Sequence, residues 1–511
     1  MTARVTTAEQ AAARDAAAIA GGTPSYELMR TAGTAAANAM LEYITEVRTA
    51  GALVFCGPGN NGGDGWIVAA ALAREGCPVA VVEAAPPATD DAIRARTDAR
   101  EALAAASAPR HPAAVVDALL GTGVTGELRE AMCAHVDAIA KARRDGARVV
   151  ALDVPSGVDA TTGAGGRTVR ADITLTFGTM KRGLLLRRDE CGAIMCLDIG
   201  LGVHADLPDA APTLVDVAMV AAAVMPIPAD AHKGVRRRLA IVGGGEGMAG
   251  APMLAARGAM RSGIGMVHLL VAPTNVQVVQ ASLPEAMADR WPVTAEDQDR
   301  VLAWTHCLLL GPGLGRTAMT RALVERLLVA WKGPVVLDAD ALNVFEGEPR
   351  MLGSLLGARP AIVTPHPVEA GRLLRRDGAA VSADRFTVGA ELAKTLGATV
   401  VLKGVPTVIS APDGRTAVSA SGSPVLGTAG SGDVLAGIVA TLLAQTGDPF
   451  AAACAAAWVH GRAGEIAAAQ GSVRGTSLED IVLALRLAWR LDAALHHPAV
   501  LATLPAVGSA R

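Results

Sequence analysis

The densest cluster of chemistry-bearing residues in this 511-residue chain is GPGNNGGDGW, residues 57–66, which follows the apolar run ALVFC. Its glycines leave backbone N–H groups free for phosphate oxygens. Asn60, Asn61 and Asp64 add two amides and a carboxylate, more than a glycine-rich phosphate loop alone requires. Gly57 to Gly62 also fits the G-x-G-x-x-G pattern of a dinucleotide fold, with Glu83 ending the next apolar run about 20 residues on. Taken alone, that pattern admits a Rossmann dehydrogenase or a tight turn with no ligand, although Pro58 and the following NNGGD are unusual for the former.

Two later stretches widen the constellation. VVDALLGTGVTGE (115–127) places Asp117 near a strand end, followed by a loop rich in glycine whose amides suit an anion. VVALDVPSGVDATTG (149–163) places Asp153 at a strand end and Ser156 in a Pro-Ser-Gly turn. Each acid by itself reads as a helix cap or turn former. In a parallel sheet, however, the carboxyl ends of the strands share one edge, where ligands bind. Asn60, Asn61, Asp64, Asp117, Asp153 and Ser156 are therefore expected to converge there. A separate signal lies in GTAGSGDVLAG (427–437), whose glycines open a helix and whose Asp433 sits just inside its positive end.

The elements that position these residues follow from alternation of short apolar runs with alanine-rich helical stretches, the pattern of parallel α/β units. Strands are expected at 52–56, 79–84, 114–120, 148–154, 173–178 and 193–200, and in a second series at 238–245, 266–272, 306–313, 334–340, 360–365 and 399–404. Between them lies a Pro- and Ala-rich passage. The reading is two tandem three-layer αβα domains, 1–205 and 236–500, joined by a linker at 206–235.

Composition narrows the function. Hydrophobic residues reach 51%, but alanine supplies much of the excess, and VAMVAAAVMPIP (217–228) falls short of the roughly 20 residues that span a bilayer. The first 20 residues mix Arg, Glu and Asp without an apolar core, so no signal peptide is read and a cytoplasmic protein, without membrane contact, is expected. Net charge is −3 with no basic block and aromatics are 3%, which argues against a nucleic-acid partner. The seven cysteines form no CxxC pair, arguing against a zinc site or a disulfide framework.

TTAEQ (6–10), GPGNNGGDG, VDALLGTGVTGE and LDVPSGVDATTG together resemble the N-terminal domain of NAD(P)H-hydrate epimerases, Rossmann-like in fold. The second half resembles the ribokinase-like ADP/ATP-dependent NAD(P)H-hydrate dehydratases. The likeness covers nearly the whole chain; ELMRTAG (27–33) departs from it where Glu-Asn precedes Ala-Gly in the family. It implies a potassium ion on Asn61, Asp117 and Ser156. The hydrate would lie along Asn60, Asn61, Gly62, Gly63 and Asp64, along Gly121, Thr122, Gly123, Val124, Thr125, Gly126 and Glu127, and against Asp153. Asp153 would be the general acid/base that inverts C6. Lys181, in FGTMKRGL, matches an assisting position and reads equally as a surface lysine.

In the second half, the resemblance makes Asp433 the base that takes a hydroxyl proton. It places substrate at Ala251, Gly313 and His366, and nucleotide at Lys403, Gly404, Val405, Pro406, Thr407 and Gly432, with magnesium accompanying ADP or ATP. The implied protein is a bifunctional repair enzyme, with a homo-oligomer as the expected assembly. A ribokinase-like small-molecule kinase carrying a nucleotide-sensing domain is the second reading. A non-catalytic front module is the third, and it leaves Asp153 and the cation donors without a task.

Overall fold

The structure, a computed structural model, describes residues 2–123, 126–491 and 499–507. It divides into two compact units, one built on Met1–Leu214 with a returning C-terminal strand and the other on residues 215–494. The segment expected as a linker, 206–235, is shared between them: the division falls after Leu214, and the helix Val217–Ala223 belongs to the second unit.

The first unit carries a seven-stranded sheet in the order Val500–Leu504, Ala193–Leu197, Ile173–Phe177, Arg148–Leu152, Ala114–Ala118, Ala52–Cys56, Val79–Glu83. All neighbours are parallel except the first pair, where Val500–Leu504 runs antiparallel along Ala193–Leu197. Successive strand residues split between two cores. Val54, Cys56, Val116, Ala118, Val150 and Leu152 face one; Phe55, Val115, Val149 and Ala151 face the other. Covering on both faces explains why these strands read as unbroken apolar runs.

The second unit repeats the principle. Its strands run in the order Met287–Arg290, Met266–Val271, Arg238–Val242, Cys307–Leu310, Val335–Leu337, Ala361–Val363, Thr399–Leu402, Thr407–Ser410, Thr416–Ser419. The first seven are parallel and the last two antiparallel. Leu239, Ile241, Leu309, Ile362 and Val401 enter one core, while Ala240, Val242, Leu310, Val363 and Leu402 enter the other.

Expected strands ran past their true ends. The strand 148–154 stops at Leu152, because Asp153 adopts a left-handed φ of 61° and turns the chain out of the sheet. Residues 243–245 and 311–313 likewise leave the sheet as loops. Seven strands among the described residues were missed, three of them the two-residue strands Val5–Thr6, Met180–Lys181 and Thr213–Leu214. Met287–Arg290 is an edge strand, MADR, with no apolar run. Thr407–Ser410 pairs with Thr416–Ser419 as a hairpin that Thr407 opens. Val500–Leu504 lies beyond the last apolar series of the sequence.

In each sheet the order reverses next to the first strand. The loop after Ala52–Cys56 leads outward to Val79–Glu83, and the loop after Ala114–Ala118 leads the other way. The crevice between diverging loops is the ligand edge of such a sheet. These loops touch: a Cβ at Gly57 would lie 1.8 Å from the Leu119 carbonyl oxygen. Gly57→Ala should therefore cost about 1–3 kcal/mol through backbone overpacking, read as a lowered midpoint of urea unfolding for the first unit.

Candidate active sites

The first site opens at that crevice as a cavity of about 550 Å³. Helix Asn60–Arg74 begins there with its free N–H groups and brings Asn60, Asn61 and Asp64 to the wall. Asn60, at the exposed start, accepts a 2.6 Å hydrogen bond from the Thr89 hydroxyl. Gly62 is needed for the helix to start against the loop, since a Cβ there would sit 1.9 Å from the Gly57 carbonyl oxygen. Gly63 packs on Met29 in the same way. Gly121, Thr122 and Gly123 form the facing wall, with Gly121 against the Asn61 side chain. Val124 and Thr125 lie outside the described residues. Gly126 and Glu127 are exposed and do not line the cavity.

Behind this wall Asp117 is fully buried. Its Oδ1 accepts from the Ser156 hydroxyl at 2.7 Å and Leu119 N–H at 3.2 Å, and its Oδ2 from Ser156 N–H at 2.8 Å. Burial pushes its carboxyl up to about 6, against the lowering by the Ser156 and Leu119 hydrogen bonds. No Lys or Arg pairs with it among the described residues. Asn61 donates from Nδ2 to the Leu120 carbonyl at 2.9 Å, while its buried Oδ1 has no partner. A buried carboxylate without a cation and an orphaned amide oxygen form a donor set that suits a hard monovalent ion.

Asp153 lies across the cavity. The Lys181 ammonium donates to its Oδ1 at 2.5 Å, joined by the Thr176 hydroxyl at 3.1 Å and Phe177 N–H at 3.4 Å. All three bonds fall on one oxygen, so Oδ2 is open to the cavity that Asp153 lines. Lys181 is no surface residue: it is 3% exposed, pinned also by the Phe177 carbonyl at 2.8 Å. The short strand Met180–Lys181 pairs with Val5–Thr6, and this holds it in place. Asp15, from helix Ala8–Ala20, stands at the exposed rim of the same cavity and was not anticipated.

The second site gathers at the strand ends of the other sheet. Asp338 follows Val335–Leu337 and Lys403 follows Thr399–Leu402; the Lys403 ammonium lies 2.9 Å from Asp338 Oδ1 and 3.6 Å from Glu369 Oε2. Helix Ser431–Thr446 starts over this pair. Its cap, Gly430, has φ 89° and would place a Cβ 2.5 Å from the Leu254 side chain, so only glycine fits. Gly432 leaves room for Lys403, whose Nζ would be 3.5 Å from a Cβ there. Burial raises the Asp433 carboxyl to about 7, with the Asp338 charge adding to the rise and Lys403 opposing it. Ser431 is fixed by the buried His460 at 3.1 Å, whose imidazole burial lowers to about 4, keeping it neutral.

The other expected residues fall around this core. Gly313, with φ 58°, abuts Ala251, whose Cβ would be 3.0 Å from its own. His366 is occupied as a helix cap: Nδ1 accepts from Val368 and Glu369 N–H groups. Gly404 lies on the buried Arg385 guanidinium, which donates to the Pro406 carbonyl at 2.8 Å, and Val405 projects into solvent. Asp338 and Glu369 were not anticipated. VVLDAD places an acid after a strand just as VVALDV does, and that signal was available.

A family model described as NAD(P)H-hydrate dehydratase matches residues 239–486, and one described as YjeF-related protein N-terminus matches residues 25–183. A bifunctional NAD(P)H-hydrate repair enzyme of Moorella thermoacetica is 35% identical over 494 residues, covering 90% of this chain and 91% of that one. Its counterpart in Escherichia coli is 33% identical over 483 residues, covering 93% and 91%. The chain belongs to the family of bifunctional NAD(P)H-hydrate repair enzymes. Among solved structures, an ADP/ATP-dependent NAD(P)H-hydrate dehydratase from Bacillus subtilis is 27% identical and covers 55% of this chain and 98% of that chain, with a TM-score of 0.47.

The raised Asp433 carboxyl carries a stability signature. A folded value near 7 against an unfolded value of about 3.9 means that the folded chain holds the extra proton between them, so stability is lost as pH rises through that window. Asp433→Asn should therefore unfold at a higher temperature than wild type at pH 8, with the difference vanishing near pH 4, in paired thermal melts.

Proposed function

We propose that this chain repairs hydrated nicotinamide nucleotides in two steps: the first unit interconverts the R and S hydrates, and the second dehydrates the S form at the expense of ADP or ATP. The observation that carries the reading is that each unit holds its own lysine-paired acid group at the carboxyl ends of its own sheet: Asp153 with Lys181, and Asp433 beside Lys403 and Asp338.

In the first unit the hydrate's C6 hydroxyl leaves as the ring nitrogen lone pair forms an iminium, and water returns from the other side. Asp153, held by Lys181 and Thr176 on Oδ1, presents Oδ2 for that proton transfer. Such positioned acid/base help is worth about 10²–10⁴-fold. The N–H groups at the start of helix Asn60–Arg74 and the Gly121–Gly123 wall suit the substrate's phosphates. Potassium would be held by Asn61, Asp117 and Ser156, where its charge keeps Asp117 ionised and the crevice walls in register.

In the second unit the difficulty is that hydroxide is a poor leaving group. Asp433 takes the C6 hydroxyl proton as that oxygen attacks the terminal phosphoryl group. Lys403 and the free N–H groups of helix Ser431–Thr446 face the charge that develops. Phosphate then departs, pushed by the ring nitrogen, and loss of the C5 proton restores NAD(P)H. Magnesium would neutralise the nucleotide phosphates, with Asp338 and Glu369 as the hard oxygen donors at hand.

The test uses the full chain, ADP or ATP, and a mixture of both hydrates, following 340 nm absorbance together with free phosphate. Wild type should convert all hydrate with about one phosphate per NADH, as bond-for-bond balance requires. Asp153→Ala should convert only the S fraction quickly, and Asp433→Asn should epimerise without producing NADH. A stable phosphorylated product would instead establish a kinase.

The cation is tested separately. Replacing potassium by lithium should slow epimerisation and leave dehydration of pure S hydrate as fast as before. Asp117→Ala should abolish the dependence. Equal epimerisation rates in both salts would remove potassium from the first site.

A further inference from the structure

The first cavity contains more acid than its one lysine can balance. Asp15, Asp64, Asp91 and Asp153 line it, with Lys181 as the cation. Lys181 is committed to Asp153 at 2.5 Å and to the Phe177 carbonyl at 2.8 Å, and Thr176 and Phe177 N–H also donate to Asp153. Asp64 has no ion pair among the described residues. It sits in the second turn of helix Asn60–Arg74, past the N–H groups that would stabilise a carboxylate. Burial first, then the charges of Asp153 and Asp15, push its carboxyl well above the usual range, while Lys181 pulls the other way. Burial and the two neighbouring carboxylates both favour the protonated form of Asp64, which has an O–H to donate.

Position completes the case. Asp64 comes from the helix that follows Ala52–Cys56, and Asp153 follows Arg148–Leu152. Ala114–Ala118 lies between those strands, so the two acids reach the one cavity from separate elements of the sheet edge. Epimerisation at C6 has work for two such groups, because hydroxide must leave one face of the ring and water must arrive at the other.

We propose that Asp64 is the second catalytic group of the first site, the proton donor opposite Asp153. The proposal rests on the epimerase reading. The C6–O bond breaks as the Asp64 proton passes to the departing oxygen, which leaves as water, and the ring nitrogen lone pair becomes the C=N bond. A second water attacks C6 from the Asp153 side, returns those electrons to nitrogen and gives its proton to Asp153. One turnover leaves Asp64 charged and Asp153 neutral. That is the form suited to the opposite epimer, so one site serves both directions.

The experiment compares wild type, Asp64→Asn, Asp64→Glu and Asp153→Ala with isolated R hydrate, the second unit reporting each S molecule as NADH. Asn copies the shape and hydrogen bonding of a neutral carboxyl, so Asp64→Asn should fold, with the urea unfolding midpoint of the first unit close to that of wild type. For R hydrate its kcat should fall about 10²–10⁴-fold with KM changed less than about threefold, and Asp64→Glu should recover part of the loss. The infrared carbonyl band of protonated carboxyls should lose intensity in Asp64→Asn and not in Asp153→Ala, each read as a difference from wild type because Asp433 contributes to the same band. Unchanged kcat in Asp64→Asn, or a rise in KM alone, overturns the proposal while Asp153→Ala remains inactive on R hydrate. Full activity of Asp153→Ala as well would instead remove the epimerase reading itself.

Discussion

A parallel sheet buried on both faces leaves polar chemistry nowhere to go but the ends of its strands, and both units of this chain are organised by that constraint. Val54 and Phe55, or Ala240 and Ile241, point into different cores only one residue apart. Neither face can take an uncompensated charge without a cost of several kcal/mol. The acids assigned to chemistry therefore sit at the end of a strand, just past it or in a following helix, with Asp117 the next-to-last residue of Ala114–Ala118. Asp153, Asp338 and Lys403 are each within two residues of a strand end. Asp153 goes further: its left-handed backbone swings the side chain clear of the strand direction and over the cavity.

The same constraint explains how the two sites settle their charge. Each places one buried ammonium among several carboxyl groups: Lys181 with Asp153, Asp64 and Asp15, and Lys403 with Asp338, Glu369 and Asp433. Direct contact compensates Asp153 in the first set and Asp338 and Glu369 in the second. Asp15, Asp64 and Asp433 are held above the ordinary range, by burial first and then by neighbouring carboxylates. Breaking a buried pair typically costs 3–5 kcal/mol because a lone charge stays behind, so the lysines hold their sites together as well as serving them. A carboxyl poised near neutrality is the natural proton carrier at physiological pH.

Much of this was legible in the sequence because glycine, amide and acid patterns report backbone geometry directly. The run Gly57 to Asp64 announced a strand-to-helix turn, and the structure shows why its glycines are needed, with Leu119 and Gly57 carbonyls pressed against Gly57 and Gly62. GTAGSGD announced the second helix mouth for the same reason. What stayed hidden depends on long-range contact. Lys181 looked like any exposed lysine because its burial comes from pairing with a strand some 175 residues earlier in the chain, Val5–Thr6. Asp15 sits in an alanine-rich helix with no local signal. The hairpin that Thr407 opens was missed because its pairing with Ser419 cannot be read from five residues.

The strand Val500–Leu504 closes the first unit's sheet, although roughly 280 residues of the second unit intervene between it and the rest of that sheet. The two units are therefore not beads on a string. During synthesis the first sheet emerges early with its Ala193–Leu197 edge unpaired, and its final partner leaves the ribosome only after the second unit is complete. A gene split at the boundary would deliver a front half with a bare edge strand, the kind of surface that recruits other chains. The last few residues thus tie the fused arrangement into a single inheritance: the halves can diverge in sequence, but they cannot easily part.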